Sequence, residues 1–145
     1  MGDVRMSDDC IFCSIVAGDI PARVVAETDD ALAFLDANPM ARGHTLVVPK
    51  GHHQRVADLS REESRAVFDL VHDLAPAIED AVNADAHTIG VNDGPDAGQE
   101  VPHAHVHIIP RFERDGGGPI HVAAGERPEV DDDELDEIAA SIGES

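Results

Sequence analysis

Residues 101–111 read VPHAHVHIIPR, with His103, His105 and His107 at every second position and Ala104, Val106 and Ile108 alternating with them. Period 2 is the strand period, in which successive side chains point to opposite faces. As a strand, this stretch puts three imidazoles on one face and three apolar side chains on the other. The apolar face requires a core beneath it, so the chain needs a sheet with one covered side. Burying three imidazoles without partners costs on the order of several kcal/mol. Three uses of such a row remain open: satisfied structural histidines, a metal cage, or a catalytic face. A catalytic face accounts best for three in succession.

At 145 residues the chain is long enough for one domain with its own core. We read residues 8–145 as that single domain, with residues 1–7 as a disordered lead and Met6 as a possible start. No stretch approaches the ~20 apolar residues of a membrane span. The opening MGDVRMSDDC carries no apolar signal region, so a cytoplasmic protein is expected. Thirty acidic residues against ten basic give a net charge of −20, and Lys50 is the one lysine. Such a surface disfavours nucleic acid, because phosphate backbones need basic contacts. Disorder is excluded by a 42% hydrophobic content and clear periodic segments. The acids are spread along the chain, as expected of a surface adapted to high salt, where the Debye length falls to ~3 Å.

Along the chain, DDCIFCSIVAGDIPA predicts a short helical turn and then a loop. RVVAETDDALAFLD divides at residues 27–30 into two strands of a hairpin, and GHTLVVPK is a third strand. Ser60 and Glu63 have capping-box spacing and start a helix. Its stripe is Val67, Leu70, Val71, Leu74, Ile78, Ala81 and Val82, with Pro76 expected to kink or split it. HTIGVND is a strand and DGPDAGQ a glycine-rich turn feeding the histidine strand. DDDELDEIAASI predicts a terminal helix with acids in its first turn, where the helix dipole favours them. About five strands with short links and two substantial helices favour an antiparallel α+β fold.

A glycine-rich turn leading into histidines is a plausible phosphate site, with the backbone amides of Gly98 and Gln99 turned toward oxyanions. Neutral imidazole attacks phosphorus, a phospho-imidazole forms, and water releases it. Neighbouring imidazoles hold the tautomer and neutralise developing charge.

HAHVHII resembles the histidine-triad signature, His-φ-His-φ-His-φ-φ with φ apolar. The resemblance spans roughly residues 8–112, through CIFCSIVAGDIPA, AFLDANPMARGHTLVVPKGHH and VNDGPDAGQEVPHAHVHIIPR. It is closest to the archaeal and bacterial branch near nucleoside phosphoramidases and dinucleoside polyphosphate hydrolases. It implies an α+β homodimer whose sheet continues across the two-fold, binding a purine nucleotide or nucleotide conjugate. It also implies cleavage at the α-phosphorus through a nucleotidyl-histidine. A non-enzymatic nucleotide-binding adaptor is the alternative that the same resemblance supplies. Carried over by position, it makes His105 the nucleophile, with His107 in contact with phosphate and His44, alongside His103, in the imidazole network. Asn92 and Gln99 would bind phosphate or bridging atoms, Gly98 belonging to the same nucleotide-binding turn, and Asp36 would hold the ribose hydroxyls. Ile11, Phe12 and Phe34 would line the base pocket, plain core packing being the equal alternative for each. Glu100 stands where the pattern has Ser or Thr, and an ionised carboxylate cannot donate a hydrogen bond.

Cys10 and Cys13 are the only cysteines. Such a pair can be packed, redox-active or metal-bound, and a tetrahedral zinc needs two further ligands. The resembling branch often completes this set with residues that correspond to His52 and His103. His53 and His72 are read as surface histidines.

Overall fold

The computed structural model describes residues 9–144. The expected lead, residues 1–7, lies outside the described residues. One five-stranded antiparallel sheet organises the chain: β1 Val24–Glu27, β2 Ala31–Leu35, β3 Thr45–Pro49, β4 Ala86–Gly90 and β5 Val106–Arg111, in spatial order β1-β2-β3-β5-β4. Helix α1 is Ile11–Val16, α2 is Arg61–Val82 and α3 is Asp132–Gly143. The expected α+β class, hairpin and two substantial helices are all present.

Alternation along the strands makes two cores, one on each face of the sheet. Ala31, Ala33, Val47, Val106 and Ile108 meet Val67, Leu70, Val71 and Ile78 of α2 on the first face. Leu32, Phe34, Leu46 and Val48 meet Cys10 and Phe12 of the α1 region on the second. The second face is covered only over β2 and β3. Its β4–β5 half carries His107, Ile109 and Arg111, all of intermediate exposure.

Three expectations are corrected. Helix α2 starts at the predicted capping box, Ser60 Oγ accepting from the Glu63 N–H at 3.1 Å. It then continues through Pro76 as one helix, so the expected split does not occur. Pro76 and His72 are exposed, so the carbonyl that loses its helical partner faces water, which can hydrate it. Ala81, placed in the apolar stripe, is exposed. The histidine strand begins only at Val106. His103 and His105 lie in the approach to it, where the Ala104 N–H donates to His53 O at 2.7 Å instead of to a neighbouring strand. The apolar alternation is nonetheless as read: Ala104, Val106 and Ile108 are buried.

Gly43 sets the entry to β3. It has φ +89°, and a Cβ there would lie 2.9 Å from a Val82 methyl. The turn places His44 on the same strand face as Leu46, which pairs with His107 across β3 and β5, so the His44 and His107 rings meet diagonally.

Candidate functional site

Backbone groups assign the protons of the four central imidazoles. The Met40 N–H points at His44 Nδ1 at 3.0 Å, and an amide only donates, so Nδ1 accepts. Neutral His44 therefore carries its hydrogen on Nε2 and donates to His107 Nδ1 at 3.0 Å. His107 then carries its hydrogen on Nε2, a buried atom with no hydrogen-bond partner. His105 Nδ1 lies 2.8 Å from the carbonyl oxygen of His103, which only accepts, so Nδ1 holds the hydrogen and Nε2 keeps a bare lone pair. His103 donates from Nε2 to Pro49 O at 2.8 Å and turns Nδ1 toward the thiols.

Burial favours the neutral form of three of these rings, His44, His103 and His107. Desolvation lowers His44, opposed by the Asp36 carboxylate and reinforced by His105. His107 falls to about 4 for the same reason, helped by the His105 and His44 rings. His103 also falls to about 4, burial outweighing its bond to Pro49. The rings of His105 and His107 lie 4.8 Å apart, and Phe12 packs edge-on against His105 at 5.0 Å.

The remaining predicted residues separate into those that border the histidines and those that do not. Asp36 is half-buried; Oδ1 accepts the Asn38 N–H at 2.8 Å and Oδ2 lies 3.7 Å from His44 Nε2. Asn92 opens onto the cleft that reaches His44 and His107. Phe34 packs behind Phe12, 5.6 Å between centroids, and is 3% exposed. Ile11 is exposed. The phosphate-amide expectation is corrected. Gly98 N–H donates to Pro95 O and Gln99 N–H to Gly94 O, so both amides close their own turn. The Gln99 side chain is likewise committed. Its Oε1 accepts from the Gly94 N–H, and its Nε2 donates to Gln54 O and Val101 O. Gly98 and Gln99 brace the loop ahead of the histidines. Glu100 is exposed. His72 is exposed as read, whereas His53 is half-buried against Glu63, with Nε2 3.0 Å from Oε1. His87 pairs with Glu79.

Cys10, Cys13, His52 and His103 converge, with their donor atoms all within 4.8 Å of one another. Cys10 Sγ to His103 Nδ1 is 3.3 Å, Cys13 Sγ to His52 Nδ1 is 3.2 Å and Cys13 Sγ to His103 Nδ1 is 3.5 Å. Tetrahedral zinc with its usual N and S bond lengths separates its donors by about 3.3–3.8 Å. The bond from His103 Nε2 to Pro49 O frees the Nδ1 lone pair toward that centre, the outer-shell arrangement that metal-bound histidines use. The residues fit the ion. Sequence reasoning missed the Met40 amide and Pro49 carbonyl, since any residue type supplies them. It also missed Arg111, whose guanidinium clamps Asp115 through Nε at 2.8 Å and Nη2 at 3.1 Å.

No helix among the described residues is long and apolar enough to cross a membrane. Comparison with known proteins gives consistent matches. The HIT domain model matches residues 17–114. A HIT-like protein of Methanocaldococcus jannaschii is 44% identical over 135 residues, 92% of this chain and 98% of its own length. An adenosine 5′-monophosphoramidase of Schizosaccharomyces pombe is 43% identical over 102 residues, 70% of this chain and 74% of its own. The crystal structure of a zinc-bound histidine triad family protein from Mycobacterium smegmatis superposes with a TM-score of 0.71 at 32% identity, covering 95% of this chain and 96% of that one. The matched span holds all five strands together with the histidine segment they position, and on that ground the chain belongs to the HIT domain family.

Proposed function

We propose that the protein is a nucleotide hydrolase or transferase that attacks the α-phosphorus of a purine nucleotide derivative, a phosphoramidate or dinucleoside polyphosphate, with His105 Nε2. The observation that carries the reading is the bond from His105 Nδ1 to the His103 carbonyl. Of the three histidines in the run, His105 is the one left with a bare Nε2. His103 donates from its Nε2 and His107 carries a hydrogen there. The N–P bond to His105 forms as the bond to the leaving group breaks. The leaving group takes that electron pair and a proton from solvent. Water then attacks phosphorus, the N–P bond breaks, a proton returns to solvent and His105 is restored. His107 Nε2–H stands ready to donate to a phosphate oxygen as charge builds there. Asp36 accepts the ribose hydroxyls and Phe12 borders the base.

Zinc on Cys10, Cys13, His52 and His103 would act as a structural fastener between α1 and the histidine approach. The phosphoramidase named among the relatives and the zinc-bound neighbour support the reading. So does the open outer edge of β4, beside exposed Ile89, for a homodimer whose sheet continues across it. Incubation with an adenosine 5′-phosphoramidate and acid quench should give a nucleotidyl adduct on His105 by mass spectrometry. His105→Ala should lose turnover while still binding AMP. Binding without turnover in the wild type would instead identify an adaptor.

A further inference from the structure

Cys10 and Cys13 stand as thiols three residues apart at the start of α1. At that spacing two side chains share one side of a helix. Cys10 Sγ accepts from the Cys13 N–H at 3.4 Å, and the two sulfurs lie within 4.8 Å of each other. Closing that gap to a sulfur–sulfur bond of about 2.05 Å takes side-chain rotation, and Cys-x-x-Cys is the spacing that redox-active pairs use. The two thiols differ in access. Cys10 is 4% exposed and packs with Phe12 in the second core, whereas Cys13 is only half-buried. A cavity of about 390 Å³ borders the pair, with Asp9, Cys10, His52 and Asp58 in its lining. Its carboxylates repel an anionic oxidant and admit an uncharged one.

One residue joins the pair to the histidine run. The His103 side chain turns Nδ1 to Cys10 Sγ at 3.3 Å and to Cys13 Sγ at 3.5 Å. Its Nε2 donates to Pro49 O, and its main-chain carbonyl accepts from His105 Nδ1. The next amide, Ala104 N–H, donates to His53 O, one residue from His52. Whatever holds the two thiols to His52 and His103 therefore also holds the carbonyl that orients His105.

We propose that Cys10 and Cys13 are an oxidation site: hydrogen peroxide joins them as a disulfide, which ends metal binding by Cys10, Cys13, His52 and His103 and loosens the approach that orients His105. The inference rests on the zinc reading above. The Cys13 thiolate attacks one peroxide oxygen, the O–O bond breaks, hydroxide leaves and a sulfenic acid forms. The Cys10 thiolate then attacks the Cys13 sulfur, the S–S bond forms and a second hydroxide leaves. The sulfurs lose two electrons and one peroxide is reduced to two hydroxides. Joined sulfurs no longer supply the thiolates of the four-ligand set, and two imidazoles alone leave it half complete.

The test begins with zinc supplied to the purified chain. A chain that takes up none overturns the zinc reading, and this site with it. Hydrogen peroxide is then added to the zinc-loaded chain in equal amount. Peptide mapping should find Cys10 and Cys13 joined, and a chelating dye should detect one released zinc per disulfide. Dithiothreitol with added zinc should reverse both. Hydrogen exchange of the 101–105 amides should quicken on the order of tenfold after oxidation. Cys13→Ala should show the quick exchange without peroxide and no response to it; the wild-type peptide map decides by itself if that variant does not fold. Intact thiols with retained zinc overturn the proposal, as does a sulfinic acid on Cys13 without a disulfide. A disulfide formed while the metal stays bound also overturns it. Disulfide and zinc release with unchanged exchange at 101–105 overturn the link to His105.

Discussion

A single backbone carbonyl or amide decides which nitrogen of each histidine is reactive. The Met40 amide orders His44 and, through it, His107; the carbonyls of His103 and Pro49 order His105 and His103. The residue types and their spacing were legible in the sequence, because period 2 in an apolar context has few uses. The tautomers were not, since backbone groups leave no mark on residue identity. The same blindness misled the reading of Gly98 and Gln99, whose amides face their own turn. Burial of the neutral rings has a measurable signature. Folded His107 takes its proton near pH 4, the unfolded ring near 6.5. Its contribution to stability is therefore complete above about pH 6.5 and is lost as pH falls toward 4. The full shift corresponds to roughly 3 kcal/mol, reduced to on the order of 1–2 kcal/mol because the ring is only half-buried. Urea unfolding of His107→Gln between pH 7 and 4.5 should show a shallower loss than wild type by about 1 kcal/mol. Parallel curves would show that the ring is not buried neutral.

At the scale of elements, the sheet, hairpin and capping box were readable because alternation and cap chemistry are local. The late start of β5 at Val106 and the passage of α2 through Pro76 were not, because they depend on what each backbone group meets in space. Helix α1 is the clearest case. Six residues do not hold a helix by themselves. Here Cys10 caps it through Sγ, which accepts from the Cys13 N–H at 3.4 Å, and Phe12 packs into the second core. A metal joining Cys10 and Cys13 to His52 and His103 would tie α1 to the histidine approach of β5. Purified protein dialysed against buffer should retain about one zinc per chain by elemental analysis. Cys10→Ser should lower Tm by several degrees while shifting AMP affinity less than about threefold, because the ribose and phosphate contacts proposed above lie elsewhere. Metal-free wild type with an unchanged Tm would remove the fastener from the account.

At the scale of the whole molecule, charge sets the conditions for folding. A net charge of −20 with one lysine, itself paired to Glu27, makes the compact state repel itself. Tm should climb by ten degrees or more between 0.1 M and 2 M KCl as screening sets in. A flat curve would reject salt adaptation. Association is the second expectation at this scale. Every residue from 113 to 144 is exposed, including Leu135, Ile138 and Ile142 of α3, and β4 has an open edge. Sedimentation velocity in molar KCl should give a dimer, and Ile89→Lys should shift it toward monomer; a wild-type monomer at micromolar concentration would reject the shared sheet. Sequence gave no access to this tail's exposure, because its apolar residues have helical spacing whether or not anything covers them.

The strand order β1-β2-β3-β5-β4 also determines when during synthesis the chain becomes competent. β3 and β4 emerge first and each waits with an unpaired edge, because the strand that fits between them is made last. That strand and its approach carry His103, His105 and His107. A nascent chain halted before residue 103 therefore has neither a complete sheet nor the histidine run, and it exposes two strand edges open to wrong pairing. Insertion of β5 closes both edges in the step that brings the histidine run against His44, so the sheet and the imidazole cluster are completed together.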